Sequence, residues 1–288
     1  MASTAGLNVR PVRGSIRLRA LRDALVVLGL GILLVWFLVI APEHQDVGRD
    51  AYAYWSVDQA QPYALAEGST GAFTYPPPMV RLFAPLALVS WPVFLWLWLA
   101  LQVATVAWVG WRRSLLVLAF PPVAIELYYG NVNLLLAAAV ALGFRYPATW
   151  AFVLLTKVTP GVGLLWFAVR REWRSLAIAL GVTAAIVAVS LAFDAPLWRD
   201  WIEVVKNGTI RETGILASSI WVRLAAAVAI VAWGARTDRR WTVPVAVNLG
   251  MPVLFPATLC VLLAILTLDR PELQPGTTAH DSRLVETA

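Results

Sequence analysis

Charge is scarce in this chain. Asp, Glu, Lys and Arg make up 14% of its 288 residues, against about 25% in soluble domains. Apolar residues reach 60% and the mean hydropathy is +0.71, so the sequence reads as a polytopic membrane protein. One cysteine, Cys260, excludes an intrachain disulfide and a thiolate metal cage. With only His44 and His280, the residue types for histidine-rich zinc sites and most histidine-activated nucleophiles are missing. No G-x-x-x-x-G-K-[ST] loop is present, and no G-x-G-x-x-G follows a strand. The basic connections, such as 170–174, are too short to fold a nucleotide-binding domain. A nucleotide-activated donor therefore has nowhere to bind. The excess of 23 Lys+Arg over 17 Asp+Glu sits in clusters beside apolar runs, which fits the positive-inside rule rather than nucleic acid.

What is present is a series of apolar runs. Clear spans are expected at 24–41, 91–111, 175–193 and 220–235. Arg10, Arg13, Arg17, Arg19 and Arg22 precede the first without an A-x-A-like cleavage site after it, so residues 1–23 read as a cytoplasmic basic segment leading into a retained signal anchor. Arg112 and Arg113, then Arg170, Arg171 and Arg174, then Arg236, Arg239 and Arg240 mark further cytoplasmic ends. Two polar stretches, 42–78 and 194–219, then share the outer face. Between the first two of these clusters, the run 114–169 is interrupted at Gly130-Asn131-Val132-Asn133, at Arg145-Tyr146-Pro147 and at Lys157-Val158-Thr159-Pro160. Charge requires an even number of crossings there. Two hairpins, the second turning near Lys157, are the preferred solution; a single bent passage over 114–144 is the other. Such breaks are tolerated at membrane depth only beside protein or a water-filled cavity. Residues 242–268 form one kinked span or two half-helices, and 269–288 read as a disordered tail.

Chemistry is expected in the first loop, where Asp46, Asp50, Asp58 and Glu67 gather. Taken singly, each carboxylate there is more simply a solvated loop charge. Asp46 and Asp50 are equally placed on physical grounds, each able to act as a general base just beyond the first span. Phe73-Thr74-Tyr75-Pro76-Pro77-Pro78 gives a rigid launch for the next helix, with Tyr75 an interfacial aromatic in the plain reading. Lys157 falls deep between Tyr146 and Arg170. A charge there costs at least about 2.5–3.5 kcal/mol, so it faces a cavity or anionic ligand, snorkels from a hairpin turn, or pairs with Glu126. Asn131 and Asn133 line that cavity or satisfy the broken backbone. With no nucleotide site, an activated substrate must arrive on a lipid, whose phosphate would give Lys157 its counter-charge.

The ordered pieces Asp50-x-x-x-Tyr54, Gln61-Pro-Tyr63, Phe73-x-Tyr75-Pro-Pro, Pro85, Gly130-x-x-Asn133, Lys157-x-Thr-Pro160, an Arg-Arg-x-Trp-Arg turn and Ser219-Ile-Trp-Val-Arg223 resemble glycosyltransferase family 87. These are polyprenyl-phosphate-mannose-dependent mannosyltransferases of the GT-C superfamily. The resemblance covers roughly residues 25–268, with Gly130-Asn131 where the family often has Gly-Gln. It implies an all-α, GT-C-like bundle of eight to ten membrane segments over 24–268, some broken, with an extracytoplasmic first loop, in a bacterial plasma membrane. It implies inverting transfer of a mannosyl or related residue from a polyprenyl-phosphate sugar to a glycolipid or glycan acceptor, without nucleotide, metal or other cofactor. The tyrosine spacing selects Asp50 as base. Lys157 and Arg223 are expected at the donor phosphate, and His44, Asp46, Tyr54, Tyr75, Asn131 and Asn133 at the substrates. The alternatives are a carrier or flippase of polyprenyl-linked or anionic lipids, which predicts internal repeats that the sequence does not show, and a non-catalytic shortened relative.

Overall fold

The computed structural model describes residues 13–35, 47–207, 219–268 and 270. His44, Asp46, the latter part of the second polar stretch and residues 271–288 lie outside the described residues, so the expectations placed on them are not addressed. Among the described residues the fold is all-helical, with no strand. Among the described residues, two helices are long and apolar enough to cross a membrane, Trp91–Leu118 and Trp173–Lys206, or three if the bent pair Pro121–Tyr129 and Asn133–Gly143 is one span. The other apolar elements are shorter pieces packed around these.

Helix α1 (Arg13–Val35) leads to the short α2 (Arg49–Trp55) of the first loop. The prolines act as expected: Pro76 caps and Pro77 begins α3 (Pro77–Phe83), their fixed φ launching the helix where no N–H partner is needed. Helix α4 (Trp91–Gly110) starts against the loop, where Trp55 Nε1 donates to the Val89 carbonyl at 2.8 Å. It runs about 30 Å to Arg112 and Arg113. After the short α5 (Ser114–Leu118) come α6 (Pro121–Tyr129) and α7 (Asn133–Gly143), which meet at a bend of 114°. The chain then makes a second hairpin. Helix α8 (Trp150–Thr156) rises to Lys157, and a 3₁₀ segment (Thr159–Leu164) with α9 (Leu165–Val169) returns. The two arms are in contact through the Trp150 and Phe167 rings, whose centroids are 6.4 Å apart.

Helix α10 (Trp173–Asn207) corrects one expectation. The chain does not become a loop after 193 but stays helical through Asn207, kinked at Asp194, whose φ of −126° and ψ of 29° leave the helical region ahead of Pro196. Polar composition beyond the kink reads as loop, yet it is an exposed helical turn pattern, with Lys206 and Glu203 paired at 2.9 Å. This upper part is tied to the first loop. Arg81 pairs with the buried Asp194, and Trp201 Nε1 donates to the Thr74 carbonyl at 3.1 Å. The described parts of the two polar stretches, 47–78 and 194–207, therefore lie against each other.

The arginine clusters lie at the other end, because α4 runs from the loop to Arg112 and Arg113 while α10 runs from Arg174 to the loop. Arg170 bonds Asp238 at 2.7 Å, joining the second and third clusters. Helix α11 (Ile220–Arg236) descends to that end and α12 (Thr242–Leu249) climbs back. The last apolar stretch is thus two pieces, α12 and a 3₁₀ helix over Pro256–Thr267. At about 2.0 Å per residue, 12 residues wound this way span about 24 Å, against about 18 Å as α-helix. The packing follows the threefold period: Ala257, Cys260 and Leu263 form one buried row and Thr258, Val261, Ala264 and Thr267 another. Beyond it, Arg270 donates to the Trp108 and Val109 carbonyls, both at 2.7 Å. The chain therefore returns to the end marked by Arg112 and Arg113.

Candidate functional site

The site is built on the bend between α6 and α7. Gly130 ends α6 with φ +70°, a left-handed conformation that favours glycine, and a Cβ there would lie 2.7 Å from the Ala51 side chain. Its carbonyl accepts from Trp98 Nε1 at 2.7 Å. Gly48, also left-handed at φ +74°, donates its N–H to the Tyr128 carbonyl at 2.7 Å. These contacts press the start of α2, and with it Asp50, onto the bend.

Asn131 Nδ2 donates to Asp50 Oδ2 at 2.7 Å. The Asn131 amide is itself held, Oδ1 accepting from Val132 N at 2.8 Å and the backbone carbonyl accepting from Gln102 Nε2 at 2.8 Å. Two residues on, Asn133 Oδ1 accepts from Lys157 Nζ at 3.0 Å. Lys157 ends α8 in an extended conformation, φ −147° and ψ 110°, which turns its side chain away from the helix axis and toward the bend. The carboxylate of the first loop and the cation at the tip of the second hairpin are thus joined through the two asparagines of one break.

Behind them stands Glu126, fully buried. Its Oε1 accepts from Asn133 N at 2.6 Å and Leu134 N at 3.3 Å, and its Oε2 from Asn133 Nδ2 at 2.8 Å. A carboxylate on the first N–H groups of a helix stabilises by about 0.5–2 kcal/mol. Asp50, Asn131, Lys157 and Tyr75 are half-buried, whereas Asn133, Glu126 and Tyr54 are buried. A front row with access to ligand is therefore backed by a row without it.

The tyrosines close one side. Tyr54 OH and Tyr75 OH are hydrogen-bonded at 3.1 Å, and Tyr63 OH donates to the Tyr75 carbonyl at 2.9 Å. Tyr54 stacks on Phe83 with centroids 4.7 Å apart and lies 5.4 Å from Trp98; such pairs contribute about 0.5–1.5 kcal/mol each. Tyr75 is therefore folded inward rather than left as a plain interfacial aromatic. Burial, with Tyr75 and Asp50 nearby, pushes the Tyr54 hydroxyl well above its ordinary range, and burial does the same to Tyr75. Both stay protonated, able to donate but not to serve as base.

Asp50 is the loop carboxylate in contact with the bend. Burial raises its pKa above the ordinary 3.8, while the Asn131 hydrogen bond, Lys157 and Arg49 pull it back down. The other described loop carboxylates do different work: Asp58 accepts from the Ala60 N–H of its own turn at 2.8 Å, and Glu67 is exposed. Arg223, expected at the donor phosphate, is buried and directs its guanidinium at the carbonyls of Leu249, Met251 and Pro252, at 3.2, 2.6 and 2.9 Å. It closes the break after α12, where Gly250 abuts the Thr159 carbonyl beneath the Lys157 turn.

Sequence reasoning treated Glu126 only as a partner for Lys157 and passed over Gln102. A carboxylate and an amide inside apolar helices were the available signal. The family model described as glycosyltransferase family 87 matches residues 73–278, a range that holds Glu126, both asparagines and Lys157 and begins after Asp50. No curated protein and no solved structure matches the chain.

Proposed function

The chain belongs to glycosyltransferase family 87, and from that premise we propose an inverting transfer of a mannosyl or related sugar from a polyprenyl phosphate to a glycolipid or glycan hydroxyl. The observation that carries this reading is the joining of Asp50 and Lys157 through Asn131 and Asn133. In the proposed step the Asp50 carboxylate takes the acceptor's hydroxyl proton as that oxygen attacks the anomeric carbon. The bond from the anomeric carbon to the phosphate oxygen breaks, and its electron pair leaves with polyprenyl phosphate. The donor is a phosphodiester with one negative charge and the product a monoester with up to two. A cation at the leaving group is therefore worth more in the transition state than in the ground state, which is the condition for catalysis. Lys157 is assigned that role, Asn131 the orientation of Asp50, and Tyr54 and Tyr75 contacts to substrate hydroxyls. His44 and Asp46 belong to the same proposal as substrate contacts. Arg223 supports the turn that carries Lys157, on the strength of its carbonyl contacts.

The arginine clusters at the end remote from the site support a cytoplasmic orientation for that end and an extracytoplasmic one for the site, in a bacterial plasma membrane. The test uses purified protein with radiolabelled polyprenyl-phosphate-mannose and candidate acceptors. Asp50→Asn keeps the volume and removes the base, and is expected to lower kcat at least about 100-fold. Transfer at the native rate by this variant would overturn the assignment of Asp50, whereas absence of transfer by the native protein would favour a lipid-binding relative without catalysis.

A further inference from the structure

We propose that Glu126 is a positioning residue for the leaving phosphate: acting through Asn133, it fixes where the Lys157 ammonium stands and leaves that cation un-neutralised at the front of the site. The inference rests on the reading above, in which Lys157 meets the lipid phosphate.

Glu126 itself reaches no substrate, being fully buried. Both of its oxygens are turned to the first residues of α7, where they accept from Asn133 N, Leu134 N and Asn133 Nδ2. An ionised carboxylate only accepts and an ammonium only donates. The Asn133 amide has therefore one workable orientation, with Nδ2 toward Glu126 and Oδ1 toward Lys157 Nζ. Anion, amide and cation form a polarised row. Lys157 is held by a neutral oxygen at 3.0 Å instead of by a carboxylate, so its charge is balanced from one layer behind while its remaining N–H groups stay available. A direct ion pair would hold the ammonium equally well and weaken it as a phosphate ligand.

The row can be reversed, which gives the test. In Glu126→Gln, a glutamine whose oxygen still accepts the backbone N–H groups turns its NH₂ onto Asn133 Nδ2, donor against donor. Flipping the Asn133 amide only moves the conflict to Lys157 Nζ. Asn133→Asp alone sets two carboxylates against each other. In the double variant the introduced glutamine donates to the introduced aspartate, whose other oxygen faces Lys157, with net charge unchanged. Kinetics are measured for the full-length chain, its two single variants and the double, with polyprenyl-phosphate-mannose as donor and rates normalised to folded protein.

Each single variant is expected to raise the donor KM and to lower kcat/KM for the donor at least tenfold, with the acceptor KM unchanged. The double, whose row is matched again, is expected to recover at least tenfold over the product of the two single effects and to stay below the native chain, because its introduced carboxylate now pairs directly with Lys157. A merely structural role lowers the amount of folded enzyme and leaves the donor KM where it was. That result, or a double variant no better than the product of the singles, overturns the proposal. If a single variant does not fold, recovery of fold and transfer in the double supports it, and loss of both overturns it. An inactive native protein would instead mark failure of the transfer reading, so the two are separable.

Discussion

At the scale of single residues, Asp50 is governed by opposing neighbours. Burial lifts its pKa above 3.8, and the Asn131 hydrogen bond is the largest influence lowering it, ahead of Lys157 and Arg49. In the proposed role the ionised form is the active one, so transfer is expected to be lost as pH falls through the raised pKa. The acid limb of kcat/KM is therefore expected at higher pH than the ordinary aspartate value of about 3.9. Asn131→Ala removes the lowering bond and should move that limb further up. A pH–rate profile measures both, and a limb that moves down in the variant contradicts the assignment. In the sequence Asp50 was singled out by the family resemblance, through its spacing to Tyr54, and not by its own chemistry. The asparagines were legible as occupants of a break, because Gly-Asn-x-Asn interrupts an apolar run. The task of each asparagine was not, since it depends on which side chain from another element faces it. Arg223 reads from the sequence as an anion ligand beside an apolar helix; its contacts with the carbonyls at the break after α12 were not legible there.

At the scale of elements, the bend at 130–132 is the piece on which the site depends. Gly130→Ala adds a Cβ at 2.7 Å from the Ala51 side chain at a residue with positive φ. The left-handed conformation alone costs a non-glycine residue about 1–2 kcal/mol, and α2 must move, taking Asp50 with it. The variant is expected to melt at lower temperature and to lose at least about tenfold in kcat/KM. Adding Ala51→Gly, which removes the opposing methyl, should restore part of the rate but not the stability. Native transfer by Gly130→Ala alone would remove the bend from the account. The clasp between Arg81 and Asp194 belongs to this scale as well. Breaking a pair with a buried member leaves an uncompensated charge costing about 3–5 kcal/mol. Here Arg81 is 49% exposed, so the loss is expected below that range. Arg81→Met should speed limited proteolysis within residues 59–72, and unchanged cleavage would show that the clasp does not hold the loop. Breaks and proline launch points were readable from Pro, Gly and charge punctuation, while 242–268 stayed open between one kinked span and two pieces. The helical stretch 195–207 was not, because charged residues on an exposed helix and in a loop have the same composition, and only the contacts of Asp194 and Trp201 distinguish them.

For the whole molecule, the account requires one end carrying the site and the other carrying the arginine clusters. Cys260, the one cysteine, is fully buried, which leaves a quiet background for labelling. A cysteine introduced at Glu67, on the loop end, should react with a membrane-impermeant maleimide in intact cells. One introduced at Asp238, beside Arg170, should react only after permeabilisation. Labelling of both from the same side would contradict the orientation. Sequence could give this polarity because arginine clusters mark ends. It could not show that short apolar pieces combine to bring Asp50 and Lys157 to one bend. That convergence is the central claim, and it is tested most directly by an experimental structure of the protein with polyprenyl phosphate bound. The account predicts a phosphate oxygen about 3 Å from Lys157 Nζ, with the non-ester oxygen that would carry the sugar facing Asp50. A phosphate bound elsewhere, with Lys157 and Asp50 separated by packed side chains, would contradict it.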